Sequence, residues 1–416
     1  MKIAIIGGGA AGLMAAATLL EEHIDAVIHI FEKNQVLGKK VSISGGGRCN
    51  VTTGITDKQL LLSKYIRGSK FLIPAFGLFP PQKVIEWFEK NRLPLKIEKD
   101  NRVFPVSDIG SDVVDLFTRI FNNKILIHYS EPVKLLLPIG KTGFKVETEK
   151  GIFDFDIVII TSGGNAYSHT GSSGDGYNFA KSCGHTITRL GPSLNSFEVE
   201  ENWCKKLSGI SIKNARLETI LENNIKKSTI GPFIFTHFGI SGPVTFAISA
   251  HLAFSMISKS SPIKILFSPD ADETFESWNK KFQDIISVSG GRQIKNILSE
   301  FLPERFAEEI LILSQIRRDK KAAEVSKEER KIICKLLSGN IEITLIARKK
   351  GDEFVTAGGV CLNEVDRKTM QSIINPNLYL AGEVLDIDGL TGGFNLQSAW
   401  ATGRLAGVNI AKRLNS

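Results

Sequence analysis

The chain has 416 residues, 42% of them hydrophobic and 23% charged, which is enough for two or three packed units and carries no fibrous or disordered bias. Its 52 basic and 44 acidic residues leave a net charge of +8, but the two signs are interspersed, so a mildly basic surface is expected rather than a nucleic-acid site. Five cysteines, at 49, 183, 204, 334 and 361, form no CxxC pair and leave one over; this argues against a disulfide framework and a structural zinc site, so no metal is expected, and it fits a reducing cytoplasm.

The uncharged opening from Ile3 to Leu20 is broken by Gly7, Gly8, Gly9 and Gly12, so it reads as a strand (Ile3 to Ile6), a loop and a buried helix (Leu13 to Glu21) rather than a membrane span or signal peptide. In Gly7-Gly8-Gly9-Ala10-Ala11-Gly12, Gly7 permits the tight turn, Gly9 lets backbone approach a pyrophosphate, and Gly12 lets the helix pack closely on the strand. The phosphates would sit at the positive helix end, near Ala10 and Ala11. A second strand, Val27 to Phe31, ends at Glu32, whose carboxylate suits a ribose 2′-hydroxyl and disfavours a 2′-phosphate.

The stretch from Gly38 to Asn50 contains Ser44-Gly45-Gly46-Gly47-Arg48-Cys49-Asn50. Its glycines let backbone pass close to a ligand, while Arg48 and Asn50 can hydrogen-bond phosphate or ring atoms. Cys49 has no partner cysteine in Val51 to Gly54, so thiol relay to a disulfide substrate is not expected, and a packed role suits it. Lys58 to Lys141 forms an excursion with a helix around Gln82 to Lys90 and a β-like end near Lys124 to Leu137. A third buried strand, Ile157 to Ile160, closes on Thr161-Ser162-Gly163-Gly164. Gly171-Ser172-Ser173-Gly174-Asp175-Gly176 then opens a helix, Tyr177 to Cys183, with Asp175 near a cap position; no strand directly precedes it, so it is not read as a second nucleotide site.

From about Pro192 to about Ile346 the texture changes. Strand-like alternation (Gly209 to Ile220, Phe233 to Phe235, Ile263 to Phe267) gives way to charged helices (Glu273 to Ile286, Arg305 to Leu313, Lys327 to Leu337). His237 lies here and could move protons, although no partner carboxylate is visible. A last buried strand, Leu378 to Ala381, leads to Gly382-Glu383, then to Gly389-Leu390-Thr391-Gly392-Gly393-Phe394-Asn395-Leu396-Gln397 and a small-residue helix, Ser398 to Ala411. Paired glycines before a helix let its first amides touch a ligand and stabilise negative charge there. The four buried runs imply one doubly wound α/β domain split in sequence, with residues 1–191 and 347–416 flanking an insert at 192–346.

Several of these segments resemble known flavoproteins. The Leu378-Tyr379-Leu380-Ala381-Gly382-Glu383 run is similar to the strand that ends in Ala-Gly-Asp in glutathione-reductase-like proteins, where the acid reaches the ribityl chain of FAD; Glu383 is one methylene longer. Thr161 to Gly164 resembles the Ala-Thr-Gly-Gly element that contacts FAD there. Together with Phe235-Thr236-His237-Phe238-Gly239-Ile240-Ser241-Gly242-Pro243 and Thr356-Ala357-Gly358-Gly359-Val360, these motifs resemble bacterial FAD-binding flavoproteins of the BaiN or aminoacetone-oxidase type along the whole chain. The resemblance implies a Rossmann-like FAD domain interrupted by a β-barrel-like and helical domain, and members have been assigned to bile-acid reduction or amine oxidation. By position it implies FAD contacts at Ala11, Glu32, Lys33, Lys39, Arg48, Asn50, Val133, Gly163, Glu383, Asn395 and Leu396; the motifs themselves add Gly7, Gly9, Ala10, Gly12, Cys49, Thr161, Gly382 and Gly393.

The expected activity is an FAD-dependent oxidoreductase that transfers a hydride between flavin N5 and a small organic substrate, with the insert supplying the substrate pocket. No nicotinamide domain is visible, so an NAD(P)H donor would dock transiently. The alternative is a flavin-dependent tRNA-modifying or nucleic-acid-associated protein, supported only by the basic balance and the run Arg317-Arg318-Asp319-Lys320-Lys321, which also reads as a solvated face.

Overall fold

The computed structural model describes residues 1–140, 143–221, 224–351 and 353–415; Lys141, the expected end of the early excursion, lies outside them. The chain divides into two compact units, Met1–Ser193 with Glu353–Ser416, and Leu194–Asp352. Among the described residues no helix is long and apolar enough to cross a membrane.

The first unit is built on a parallel sheet in the order Leu378–Leu380, Ile157–Ile160, Lys2–Ile6, Val27–Phe31, Leu126–His128. Its central strands read as unbroken apolar runs because both faces are covered; Ile157 to Ile160 are fully buried. The register pairs Ile6 with Ile160 and with Phe31, and Ile160 with Leu380. Gly7, Glu32, Thr161 and Ala381 therefore leave the sheet at one edge, the carboxyl edge where doubly wound folds hold ligands.

The sheet has five strands where the apolar runs indicate four. Leu126–His128 joins it at the outer edge beside Val27–Phe31, and the β-like stretch from Lys124 to Leu137 is two strands, the second (Leu135–Ile139) belonging to a separate three-stranded meander. Leu126 is 51% exposed, so this three-residue edge strand has too little buried pattern to announce itself. The first helix spans Ala10–Glu21 and the last Phe394–Asn415, each starting a turn earlier than expected because Ala10-Ala11-Gly12 and Phe394-Asn395-Leu396-Gln397 are already helical. These two helices lie against each other through small residues. A Cβ on Gly403 would sit 2.3 Å from the Ala11 carbonyl oxygen, and one on Gly407 2.7 Å from Thr18 Cβ.

The second unit is a closed barrel in the order Phe197–Val199, Gly239–Ser241, Lys226–Phe235, Ser211–Ile220, Ile263–Ser268, Ile341–Arg348. Closure removes unpaired edges, and alternation sends every second side chain inward. Phe233 lies 4.7 Å from Phe235 and 4.6 Å from Phe267 between ring centroids, with Phe306 of the helix Glu304–Leu313 5.6 Å from Phe235. Only the inward Phe233-Ile234-Phe235 end of the strand Lys226–Phe235 shows in the sequence, since its other half, Lys226 to Gly231, is polar and half exposed. Helices Phe275–Ser289 and Lys327–Lys335 begin in reciprocal capping boxes at Thr274 and Ser326.

Candidate functional site

At the carboxyl edge of the parallel sheet, Gly7 takes a left-handed conformation (φ 109°), and a Cβ there would lie 2.7 Å from the Thr161 carbonyl oxygen and the Ser162 Cα. Gly12 is equally constrained, with a Cβ 2.1 Å from the Gly7 carbonyl oxygen. Thr161 ties the two strand ends together, its hydroxyl donating to the Gly7 carbonyl at 2.8 Å and the Ile6 carbonyl at 3.1 Å. Gly9 differs from both: a Cβ there would meet nothing within 4 Å. It is the N-cap of the first helix with no side chain capping the turn, so the amides of Ala10, Ala11 and Gly12 lack an intrahelical acceptor beside the space that a Gly9 side chain would take. That arrangement fits an anion, and a diphosphate in particular.

Glu32, 7% exposed, turns back to this loop. One carboxylate oxygen accepts from the Gly8 amide at 3.0 Å, and the other from the Asn34 amide at 2.8 Å and its side chain at 2.6 Å. The Glu32 backbone is paired on both sides, to the His128 carbonyl and the Glu131 amide, and Val133, two residues further on, is buried. Lys33 pairs with Asp175 at 2.5 Å and with the Ser173 hydroxyl. Asp175 is the first residue of its helix, after the N-cap Gly174; its carboxylate serves Lys33 instead of capping. Lys39 donates to the His169 carbonyl at 2.9 Å. Gly163 is left-handed (φ 76°), next to the Ser172 hydroxyl.

The second end of the site comes from far along the chain. A Cβ on Gly382 (φ 80°) would lie 2.8 Å from the Ala11 Cβ, so the last strand's exit touches the first helix's opening turn. The Gly382 amide donates to the Thr402 hydroxyl at 3.0 Å. Glu383 receives Lys40 at 3.0 Å on one oxygen and the Thr356 amide at 3.0 Å on the other. Gly393 packs where a Cβ would be 2.3 Å from the Thr52 carbonyl oxygen and 3.0 Å from Asn50 Oδ1, which joins the helix start at Phe394 to the Ser44 to Asn50 loop. Gln397 accepts from the Thr52 hydroxyl at 2.5 Å, and the Trp400 indole donates to the Val51 carbonyl at 2.9 Å. Asn395 both accepts from and donates to Gly389 at 2.8 Å, with Leu396 partly buried beside it.

Gly45, Gly46 and Gly47 are all left-handed, and a Cβ on either of the last two would meet nothing within 4 Å, so this loop also exposes backbone. Arg48 is engaged by Glu98 at 2.7 Å and Asp108 at 3.3 Å and lies over the Phe104 ring at 3.8 Å. Asn50 accepts from the Val103 amide at 3.2 Å. Cys49 is fully buried, and burial pushes its thiol up to about 12, so it stays protonated at neutral pH. In the second unit, His237 is exposed at a tight turn in which the Thr236 and Gly239 amides and carbonyls exchange hydrogen bonds.

The structure thus gathers residues 7–12, 32–34, 161–164, 382–383 and 393–397 around one edge of the first unit. Lys40, Asn34 and Thr402, which no sequence motif singles out, and Thr356, which the sequence offers only as the start of a family motif, hold the acids and the glycine that line it. Lys40 and Lys39 are neighbours of the same type, and nothing in their spacing separates their partners.

The model of a family described as the HI0933-like protein Rossmann domain matches residues 1–409. The chain is 30% identical to the 3-dehydro-bile acid delta(4,6)-reductase of Clostridium scindens, covering 99% of both chains. It is 25% identical to the ribosomal RNA dihydrouridine synthase of Escherichia coli, covering 96% of this chain and 95% of that one. Among solved structures, the 3-ketosteroid delta1-dehydrogenase of Sterolibacterium denitrificans superposes with a TM-score of 0.52 at 12% identity, covering 99% of each chain. That likeness is one of fold.

Proposed function

Because the chain belongs to the HI0933-like Rossmann-domain family and is an FAD-dependent oxidoreductase, we propose that it adds a hydride and a proton across a carbon–carbon double bond conjugated to a carbonyl in a small organic substrate. The observation that carries the cofactor side is the open, uncapped helix start at Gly9 with Gly382 packed against Ala11. The amides of Ala10, Ala11 and Gly12 would hold the diphosphate, Glu32 the adenosine ribose, Glu383 the ribityl hydroxyls, and the first amides of Phe394–Asn415 the ring's electron-rich edge. Bound FAD supplies a two-electron carrier that exchanges hydride at N5.

The choice of substrate chemistry draws on the relatives. Reduction of the delta(4,6) bonds of a 3-dehydro bile acid and formation of dihydrouridine both saturate a carbon–carbon double bond conjugated to a carbonyl. A transiently docked reduced nicotinamide is the proposed electron source. The chain's contribution is to fix the cofactor from both ends and to keep the charge around it balanced. Anaerobically reduced protein mixed with a conjugated enone should regain the oxidised flavin colour and yield the product saturated at that carbon–carbon bond. Reoxidation by oxygen but not by enones, with amines reducing the oxidised protein instead, would falsify this reading.

Two relatives are ribosomal RNA dihydrouridine synthases, at 25% and 26% identity, and this motivates a second reading with uridine in RNA as the substrate. The basic run at 317–321 does not supply a free cationic patch for it: Arg317 pairs with Asp319, Arg318 with Glu308 and Lys320 with Glu329. Salt-sensitive binding of ribosomal RNA together with uridine reduction, and no turnover of small enones, would replace the first reading with this one.

A further inference from the structure

We infer that Lys40 is a positioning residue for the cofactor, acting through Glu383, and that Lys40, Glu383 and the Thr356 amide form one unit that requires glutamate rather than aspartate at position 383. The inference rests on the cofactor placement proposed above and adds to it a residue that no motif marks.

Both oxygens of the Glu383 carboxylate are engaged, one by Lys40 Nζ at 3.0 Å and the other by the Thr356 amide at 3.0 Å. Thr356 is itself fixed. It sits in the buried strand Val355–Ala357, paired with Gly191–Ser193, and its hydroxyl accepts from the Asn165 amide at 2.7 Å. Room for this junction depends on Gly164, where a Cβ would be 2.6 Å from the Thr356 hydroxyl oxygen and 2.7 Å from Glu383 Oε1. On the other side Gly382 rests on Ala11, so the carboxylate lies between the sheet edge and the uncapped helix start.

The electrostatics favour a lysine here. A bare carboxylate beside a bound diphosphate would repel it, whereas a lysine–glutamate pair is neutral. Of the other basic side chains expected at the cofactor, Lys33 is paired with Asp175 and Arg48 with Glu98 and Asp108, while Lys39 donates to the His169 carbonyl and not to Glu383. Aspartate at 383 is one methylene shorter and can reach Lys40 or the Thr356 amide, not both. With side chains 29% and 17% exposed, solvent screens the pair in part, so its effect is moderate.

The test is the rate of flavin release from the FAD-loaded protein, followed by recovery of free-flavin fluorescence on dilution. K40M and E383D should each speed release about tenfold, K40R should stay within about threefold of wild type, and the double variant K40M/E383D should release no faster than the faster single, because a unit once broken is not broken twice. K40Q, which keeps a similar length and a donor without charge, asks the same question should K40M fail to accumulate. Release from the double variant at about the hundredfold product of the singles would overturn the coupling. Wild-type release from K40M and K40Q, with E383D still fast, would overturn the role of Lys40 alone; unchanged release from both E383D and Gly9→Ala would instead overturn the cofactor placement.

Discussion

The two units are constrained in opposite ways. In the barrel, the fixed points are large side chains: Phe233, Phe235, Phe267 and Phe306 fill the interior ring against ring. In the sheet unit, at the ligand edge, the fixed points are positions with no side chain at all, because Gly7, Gly12, Gly164, Gly393 and Gly403 each leave room for backbone or a carboxylate within 3 Å of a would-be Cβ. A core that excludes water tolerates loss of volume badly, whereas a junction of backbones tolerates gain of volume badly.

This contrast can be broken by substitutions of opposite sense. Phe267→Ala should lower the unfolding free energy by about 3–5 kcal/mol through loss of buried surface and the cavity left behind, measured by urea denaturation; a change below about 1 kcal/mol would mean that the ring cluster does not carry the barrel. Gly12→Ala, a gain of one carbon, should cost about 1–3 kcal/mol because the Gly7 carbonyl must move, and purified protein should carry little flavin. Normal flavin content with an unchanged midpoint would remove Gly12 from the argument.

Gly9→Ala sharpens the comparison within the glycine turn itself. Its φ of −82° suits any residue and a Cβ meets nothing, so stability should stay within about 0.5 kcal/mol of wild type. The methyl would occupy the ligand's space, however, and FAD affinity should fall about tenfold or more as measured by titration of the flavin-free protein. Equal losses of stability and affinity would contradict the assignment of that space to a ligand.

The smallest effect concerns acid. Burial first, then His128 and Lys2, hold His29 down to about 4. A folded-state value below the unfolded one means that neutral His29 favours the fold above pH 6.5, and that this contribution is lost as pH falls through about 4. His29→Phe should flatten the acid limb of a stability–pH profile by about 1 kcal/mol, discounting for partial solvent screening. An unchanged limb would assign acid sensitivity to other groups, among them Glu131, whose carboxyl, against the opposing effect of burial, is held below the usual range by Lys150, Thr148 and His128.

What could be read in the sequence follows the same division. Gly7 and Gly12 were legible because the strand before, the helix after and the acid at Glu32 leave the spacing a single physical explanation. The doubly wound sheet followed from the continuous runs at Ile3 to Ile6 and Ile157 to Ile160, and the insert from the alternation after Gly209; FAD and the barrel were implied by the family resemblance alone. The edge strand Leu126–His128 was hidden by its exposure, and the polar half of Lys226–Phe235 by its lack of alternation. Lys40 was invisible for another reason: its partner lies 343 residues away, and whether Lys39 or Lys40 meets Glu383 is decided by the turn of a five-residue helix after left-handed Gly38, which composition does not encode.

The account stands on one placement, FAD lying from the first helix start to the last. A crystal structure of the FAD-loaded protein tests it directly. The account predicts the diphosphate within hydrogen-bonding distance of the Ala10 and Ala11 amides, Glu383 on the ribityl chain with Lys40 still paired to it, and the ring at the start of Phe394–Asn415. A cofactor found away from Gly9, or reaching only one of the two helix starts, would contradict it.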